Sequence, residues 1–311
     1  MRTQAGITGG RIAVTGASGF IGRYLCEDLA AAGYEPRALG RESESAAGVT
    51  HGTDYSRDSL LQALEGARAV VHLAGRRMTR ADDPQGSGPF LGPNVAMIAD
   101  LVEAARIAGL ERIVLASSIA IYGPASGLPY RESAPPDPGD AYARSKLMAE
   151  ASLGMRTRVK GPVAVALRLA AVYGHGEKGT PALMRFVNQA KAGETITLTG
   201  NPDYRIDQIY VRDATAAIIA ALRSDGAEGV YNIGGGVAWP VRQIAETANA
   251  VFGNAGNLID KTDSDAPMPH RVMSLDRAAR DLEWSPRYDL WRGMEEMQAR
   301  ALAETGKGEQ C

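Results

Sequence analysis

The stretch DAYARSK (140–146) holds a tyrosine and a lysine four residues apart, a spacing that can serve acid–base chemistry. On a helix, positions i and i+4 project from the same face, so Tyr142 and Lys146 would lie side by side. Asp140 suits the N-cap of that helix. A free phenol has a pKa of about 10 and a nearby ammonium favours the phenolate, so the pair predicts a general acid and base. An incidental pair on a surface helix also explains the spacing.

A second candidate, Ser118, lies upstream in LASSIAIYG (115–123), at the end of a strand-like run. Parallel sheets place ligand-contacting groups at the carboxyl ends of their strands. Ser118 can donate a hydrogen bond there to a substrate oxygen on which charge develops. The alternative is that these serines only shape the turn.

A glycine-rich turn lies near the N-terminus, in RIAVTGASGFIG (11–22). Gly16, Gly19 and Gly22 follow a strand-like run and open a helical one. Glycines at this place allow a tight turn and a close approach of the backbone to a pyrophosphate, and the helix N-terminus offers free N–H donors. The strand-before, helix-after context favours a dinucleotide site over a turn without a ligand.

The end of the second strand bears on the choice of dinucleotide. A site that prefers NAD usually has an Asp or Glu there, which accepts hydrogen bonds from the ribose 2′-hydroxyl. This sequence has Ala38-Leu39-Gly40-Arg41 instead. A guanidinium suits a 2′-phosphate, so Arg41 favours NADP over NAD, although Arg41 also reads as one more solvated arginine.

The elements that must position these residues alternate along the first half of the chain. Short apolar runs predict strands, longer periodic segments predict helices, and the alternation predicts a mostly parallel sheet covered on both faces. The strands are expected at 11–14, 35–39, 68–74, 112–117 and 162–169, and the helices at 20–33, 93–109 and 141–153. Residues 82–93 predict an exposed, mobile loop. Beyond about residue 170 the alternation becomes irregular, with helices at 181–192, 211–223 and 240–252 and strands at 195–198 and 229–233, which predicts a smaller lobe.

Composition limits the function classes. The chain has 311 residues and a net charge of −2, which gives no electrostatic case for nucleic acid or membrane as a partner. Its two cysteines form no disulfide framework, its four histidines are scattered, and we predict no metal site. Neither a signal peptide nor a long apolar run is recognisable, so we expect a cytoplasmic protein.

At this point a family resemblance is visible. The sequence resembles the extended short-chain dehydrogenases/reductases, specifically the NAD-dependent epimerase/dehydratase family, almost from end to end. The segments that carry it are TGASGFIG (15–22), TDY (53–55), VVHLAG (70–75), Asn94, SSIAIYG (117–123), YARSK (142–146), RLAAVYG (168–174), VRDA (211–214), YNIGGG (231–236) and DLEWSP (281–286). The glycine turn and YARSK are specific in combination, and the later segments are less so.

The resemblance implies an α/β fold, a Rossmann-type doubly wound parallel sheet with a smaller C-terminal substrate-binding lobe. The domains would be 1–170 for the dinucleotide and mainly 171–311 for the substrate, with some segments returning to the first. Tyr142 would be the acid/base, Lys146 would hold the nicotinamide ribose and lower the tyrosine pKa, and Ser118 would orient the reacting oxygen. The implied cofactor residues are Gly16, Gly19, Phe20, Ile21, Gly22, Arg41, Asp54, Tyr55, Leu73, Ala74, Gly75, Asn94 and Lys146, and the implied substrate residues are Tyr173, Arg205 and Arg271.

The sequence departs from the family pattern in the substrate lobe. Relatives that act on nucleotide sugars usually have an Asn before VYG, where this chain has Ala170-Ala171-Val172, and a proline after it, where this chain has His175. The usual Arg-Asp pair is here Ile206-Asp207, although Arg205, Arg271 and Lys178 still suit a diphosphate. Dehydratases typically carry Thr-Asp-Glu around the strand-end serine, and Ser118-Ile119-Ala120 lacks that acid and base. Dehydration is therefore disfavoured.

The expected function is NAD(P)-dependent oxidoreduction or epimerisation at a carbonyl or hydroxyl carbon of a nucleotide sugar, as a 4-epimerase or a 4-keto reductase. One alternative is an NADPH-dependent reductase of a non-sugar carbonyl compound, and a second is a non-catalytic NAD(P) sensor. The resemblance also suggests a homodimer in which helices 93–109 and 141–153 pair with their symmetry mates as a four-helix bundle.

Overall fold

Strands and helices alternate through most of the chain in a computed structural model, which describes residues 6–41, 51–79, 81–157, 161–178, 182–261 and 270–308. The strands in these ranges are β1 (Gly10–Thr15), β2 (Tyr34–Gly40), β3 (His51–Gly52), β4 (Ala69–His72), β5 (Arg112–Ser118), β6 (Val163–Leu169), β7 (Ala171–Tyr173), β8 (Ile196–Thr199), β9 (Arg205–Tyr210), β10 (Gly229–Ile233), β11 (Ala238–Pro240) and β12 (Leu258–Lys261). The α-helices are α1 (Phe20–Ala31), α2 (Arg57–Ala63), α3 (Gly88–Leu91), α4 (Met97–Ile107), α5 (Ala141–Thr157), α6 (Ala182–Lys191), α7 (Val211–Arg223), α8 (Val241–Val251), α9 (Asp276–Asp281) and α10 (Leu290–Gly308).

Seven parallel strands form the main sheet, in the order β3-β2-β1-β4-β5-β6-β10. The chain runs outward from β1 to β3 and then returns to place β4 on the other side of β1. The crevice at such a reversal, outside the carboxyl ends of the strands, is where sheets of this kind bind ligands. The predicted doubly wound α/β architecture is confirmed.

Helices cover both faces of the sheet, and successive residues of a strand point to opposite faces, so both sets of side chains are buried. Val114 on β5 belongs to an apolar cluster that includes residues of α1 and α7. Its neighbours Ile113 and Leu115 belong to a second cluster, which includes residues of α2, α4 and α5. Near-continuous apolar runs are therefore what these strands require.

The smaller lobe is built from short sheets and the helices around them. A three-stranded sheet has the order β11-β9-β7, and β8 pairs in parallel with β12. The lobe has its own apolar cluster, with residues of α6, α8 and α10. β10 lies in the main sheet beside β6, although it follows lobe segments in the sequence.

The segment before α4 differs from the prediction. Residues 88–91 form α3, and the side chain of Phe90 is fully buried instead of lying in an exposed loop. A π-helical turn, Gly92–Ala96, then leads into α4, so the helix predicted from residue 93 is α-helical only from Met97. Phe90 is buried because its ring packs edge-on against that of Tyr142, with centroids 6.2 Å apart.

None of the helices in the described ranges is both long and apolar enough to cross a membrane.

Candidate active site

A cleft of about 720 Å³ lies at the carboxyl ends of β1, β2 and β4. Most of its lining comes from the glycine turn, the end of β2 and the loop after β4. The lining residues are Gly16, Ser18, Gly19, Gly40, Arg41, Tyr55, Leu73, Ala74, Gly75, Arg76, Pro89, Pro93 and Met97. Seven of the implied cofactor residues are thereby brought to one cleft.

The glycine turn can be built only from glycines at two of its positions. Gly16 has φ +68°, and a Cβ there would lie 2.8 Å from the backbone nitrogen of Ala74. A Cβ on Gly22 would lie 2.6 Å from the Cα of Ala17, so Gly22 lets α1 start directly against the turn. Both neighbours are backbone atoms, which cannot rotate away. The turn therefore presents the N-terminus of α1 to the cleft.

The far end of the cleft carries Arg41 and Tyr55. The Arg41 side chain is exposed, and its charge acts on the Tyr55 phenol. Burial raises the pKa of Tyr55, and the Gly16 N–H, which donates to its hydroxyl, lowers it. Asp54 is exposed and its carboxylate accepts the N–H of Ser56 at 2.8 Å, ahead of α2. Tyr55 thus contacts the glycine turn, whereas Asp54 shapes the start of a helix.

Phe20 and Ile21 supply the backbone of the first turn of α1, but their side chains pack towards the smaller lobe. The Phe20 ring lies edge-on to that of Tyr24 at 5.7 Å. It also closely approaches Gly174, where a Cβ would be 3.0 Å from the ring. Their part in the cleft is therefore through backbone atoms.

The three implied catalytic residues meet beside this cleft. Asp140 accepts the N–H of Ala143 at 2.7 Å and so starts α5 where the sequence predicts it. Tyr142 and Lys146 follow on one face, with the Lys146 Nζ 6.0 Å from the tyrosine ring centroid. Lys146 donates to the carbonyl of Ala116 at 2.9 Å, and the Ser118 hydroxyl is hydrogen-bonded to the Tyr142 phenol.

The pKa of Tyr142 differs from the expectation. Burial raises it above its ordinary value, while the Ser118 hydrogen bond and the charge of Arg77 lower it. The Lys146 ammonium donates to a backbone carbonyl of β5, and burial lowers its own pKa to about 8. Ser118 and Arg77 therefore oppose the effect of burial on the tyrosine pKa.

Asn94 makes hydrogen bonds that connect two parts of the site. Its side-chain oxygen accepts the Arg76 N–H at 2.8 Å, and its amide donates to the Arg76 carbonyl and to the Ser145 hydroxyl. Ser145 in turn donates to the Tyr142 carbonyl at 2.7 Å. Asn94 is buried and joins the loop after β4 to the catalytic helix. Sequence reasoning missed Ser145, although the serine of YARSK was a visible signal.

The implied substrate residues separate into two groups. Arg205 and Arg271 are exposed neighbours, because the Arg271 N–H donates to the Arg205 carbonyl at 3.0 Å. Tyr173 is only 2% exposed, and its hydroxyl donates to the Asp289 carbonyl. Its ring is part of the apolar cluster of the smaller lobe, so the structure does not bring Tyr173 to a surface that a substrate can reach. Aromatic burial in that lobe overrides the family pattern.

Two ion pairs near the site were not recognised in the sequence. Arg77 donates twice to Glu177, at 2.9 and 3.2 Å, from the loop after β4 to the loop after β7. Arg168 on β6 is paired with Glu150 on α5, and both are buried. No spacing rule connects residues so far apart in the chain.

Among the residues that the structure describes, no three His, Cys, Asp or Glu side chains are grouped so that they could hold a metal ion. His72 is buried at the end of β4, with its Nδ1 2.8 Å from the Thr15 hydroxyl. Burial lowers its pKa to about 3, so the ring is neutral.

Comparison with known proteins relates the chain to one family of enzymes. The model of the NAD-dependent epimerase/dehydratase family matches residues 12–234. UDP-glucose 4-epimerase of Mycolicibacterium smegmatis is 30% identical, over 91% of this chain and 96% of that protein. The crystal structure of UDP-N-acetylglucosamine 4-epimerase from Bacillus cereus has a TM-score of 0.85 at 32% identity, covering 93% of this chain and 96% of that one.

A further solved structure, UDP-glucose 4-epimerase from Thermus thermophilus in complex with NAD, has a TM-score of 0.79 at 26% identity and covers 92% of this chain and 97% of that one. The predicted resemblance is confirmed. Given the glycine turn, the Tyr142–Lys146 helix and these matches, the chain belongs to the NAD-dependent epimerase/dehydratase family and is an enzyme of the extended short-chain dehydrogenase/reductase type.

Proposed function

We propose that this enzyme is a 4-epimerase of UDP-sugars that works with a nicotinamide dinucleotide. The observation that carries the proposal is the meeting of Ser118, Tyr142 and Lys146 beside the glycine-lined cleft. The relatives named above are UDP-sugar 4-epimerases, and one of them is in complex with NAD.

The residues present suit a dinucleotide. Gly16 and Gly22 have no room for a Cβ, and the turn leaves the start of α1 open to a pyrophosphate. Leu73, Ala74 and Gly75 line the middle of the cleft. A dinucleotide held there would supply the hydride chemistry at the sugar carbon, and the protein would supply position and field.

The side chains have separate tasks in this proposal. Tyr142 takes the proton of the sugar 4-hydroxyl and later returns it, and Ser118 holds that oxygen by a hydrogen bond. Lys146 keeps a positive charge near the ribose. Arg205 and Arg271, exposed on the smaller lobe, suit the diphosphate of the substrate.

The proposal is tested by incubating the purified protein with UDP-glucose or UDP-N-acetylglucosamine and measuring the galacto-epimer by chromatography. Removing the acid/base hydroxyl in Tyr142→Phe should lower kcat by at least about 100-fold. Tyr288→Phe is the matched control, because its ring packs against Tyr210 at 4.6 Å and should leave kcat within about twofold. Undiminished turnover in Tyr142→Phe would refute the assigned chemistry.

The alternatives give different results when NADPH and keto-sugars or other carbonyl compounds are supplied. A 4-keto reductase or a reductase of non-sugar carbonyls consumes NADPH in proportion to product, whereas an epimerase consumes none. A sensor binds the dinucleotide and turns over nothing. The intact Ser118, Tyr142 and Lys146 support an enzyme over a sensor.

We also propose that the cofactor site prefers NADP. Arg41 lines the cleft after β2, in a stretch where the sequence has no carboxylate for a 2′-hydroxyl. Protein fluorescence titrations should then show an NADP Kd at least about tenfold below that for NAD, and Arg41→Ala should remove the difference. Equal affinities for NADP and NAD in the unsubstituted enzyme would contradict this preference. A preference for NADP, taken by itself, would favour net reduction over epimerisation.

A further inference from the structure

A buried ion pair lies one helical turn below the catalytic lysine. The Arg168 guanidinium donates from Nε and Nη2 to the Glu150 carboxylate, at 3.1 and 2.7 Å. The side chains are 5% and 6% exposed. Burying a charge without a partner is strongly unfavourable, so each residue depends on the other.

Glu150 follows Lys146 by four residues on α5, so the two side chains lie on one face of the helix. Burial lowers the pKa of Lys146 to about 8, and the negative charge of Glu150 opposes that fall. The lysine is held over β5 by the Ala116 carbonyl, which carries no net charge.

Within the part of the chain that the structure describes, the groups that face Lys146 come from three elements. Tyr142 and Glu150 are on its own helix, the Ala116 carbonyl is on β5, and His72 is on β4. Because His72 is neutral over the pH range of interest, it contributes no charge. Glu150 is the carboxylate that acts on this lysine.

The Glu150 carboxylate is held from below by a chain of hydrogen bonds. Arg168 also donates to the Tyr122 hydroxyl at 2.7 Å, and Tyr122 donates to the Asn232 side chain at 2.7 Å. Asn232 donates onward to the Tyr130 carbonyl at 2.9 Å. The chain therefore fixes Glu150 from β6, from the loop that follows Ser118, and from β10.

We propose that Glu150 is a positioning residue that keeps Lys146 in its charged form, and that Arg168 holds the Glu150 carboxylate in place. The role in turnover rests on the proposed function. The effect on the lysine charge does not, and it is measured separately.

The first measurement is a pH titration of the lysine side chains by NMR, with ¹³C at Cε, in the protein without substrate. The sequence has six lysines, so the spectrum is simple, and Lys146→Met identifies the signal. In Glu150→Gln the midpoint of Lys146 should fall by about one pH unit or more, a tenfold change in the protonation constant. Glu111→Gln is the matched control: it breaks the Arg68–Glu111 pair at the opposite end of β5 and should leave the midpoint unchanged.

Glu150→Gln leaves Arg168 buried without its counter-charge and could fail to fold. The double variant Glu150→Gln/Arg168→Met removes both charges, a change that buried pairs often tolerate. The Lys146 midpoint should still fall in this double variant, because the carboxylate is gone, but by less than in Glu150→Gln. A folded variant of either kind with the wild-type midpoint overturns the proposal.

The second measurement is the pH dependence of kcat/KM, which reports the pKa values of the free enzyme. The alkaline limb should move to lower pH by as much as the NMR midpoint does, because the lysine loses its proton earlier. A fall in kcat/KM with an unmoved limb would indicate a merely structural role and would overturn the proposal. An inactive wild-type enzyme would instead count against the proposed function and would leave the NMR titration standing.

Discussion

Arg77 shows how a single residue acquires a task that its sequence neighbourhood hides. Its guanidinium binds Glu177, whose side chain is only 1% exposed, and its charge also acts on Tyr142. Burial raises the pKa of that phenol, and Arg77 and Ser118 oppose the rise. Since a general base must lose its proton to work, Arg77 should extend activity towards lower pH.

Replacing Arg77 by Met should therefore raise the pKa of Tyr142 and move the acidic limb of kcat/KM upward by about 0.5 to 1 pH unit. The cause is the loss of a positive charge that favours the phenolate. Arg77→Lys keeps that charge and should keep the limb near its wild-type position. Both variants are measured from about pH 6 to 11, a range that includes the pKa of the phenol, and Arg77→Met/Glu177→Gln checks that the shift does not come from loss of the ion pair itself. An acidic limb that stays in place in Arg77→Met would exclude this electrostatic effect.

Among the elements, those with a strong local pattern were predictable. β5 and α5 are found where their apolar run and N-cap predict them, and the glycine turn connects β1 to α1 as expected. The π turn before α4 and the burial of Phe90 were not predictable, because both depend on packing against α5. The same holds for Tyr173, which the family pattern assigns to the substrate and the smaller lobe packs into its core. Periodicity reports local structure, and contacts between distant segments leave no periodic trace.

The start of α1 gives a prediction at this scale. In Gly22→Ala the new Cβ would meet the backbone of Gly16 and Ala17, so the helix must move away from the turn. We expect a cost of about 1–3 kcal/mol in the free energy of unfolding and at least about a tenfold rise in the dinucleotide Kd. Gly154→Ala on α5 is the control, because a Cβ there meets nothing within 4 Å. It should stabilise the protein by about 0.5–1 kcal/mol without changing the Kd. Thermal unfolding and dinucleotide titration measure both, and a Gly22→Ala enzyme with unchanged affinity would contradict the prediction.

For the whole molecule, the exposed apolar residues on the two helices that flank the site need an explanation. Met148 and Met155 are seven residues apart on α5, so they share a face, and they are 47% and 69% exposed. Ile107, at the end of the neighbouring α4, is 49% exposed. Apolar side chains at helical spacing suit the four-helix bundle that the family resemblance suggests. Because α5 also carries Tyr142 and Lys146, pairing would stiffen the catalytic helix.

We therefore expect a homodimer that forms through α4 and α5. In Met148→Glu a charge would have to be buried at the centre of that contact, so the dimer should dissociate at micromolar concentration, with a Kd raised by at least about 100-fold. Leu302→Glu is the matched control, because Leu302 is 67% exposed on α10, outside the proposed contact, and the variant should sediment as the wild type does. Sedimentation velocity at protein concentrations from about 0.5 to 50 µM, a range that brackets a micromolar Kd, distinguishes these outcomes. A wild-type protein that is monomeric over this range would contradict the homodimer. A Met148→Glu variant that remains dimeric would show that the contact does not involve this face of α5.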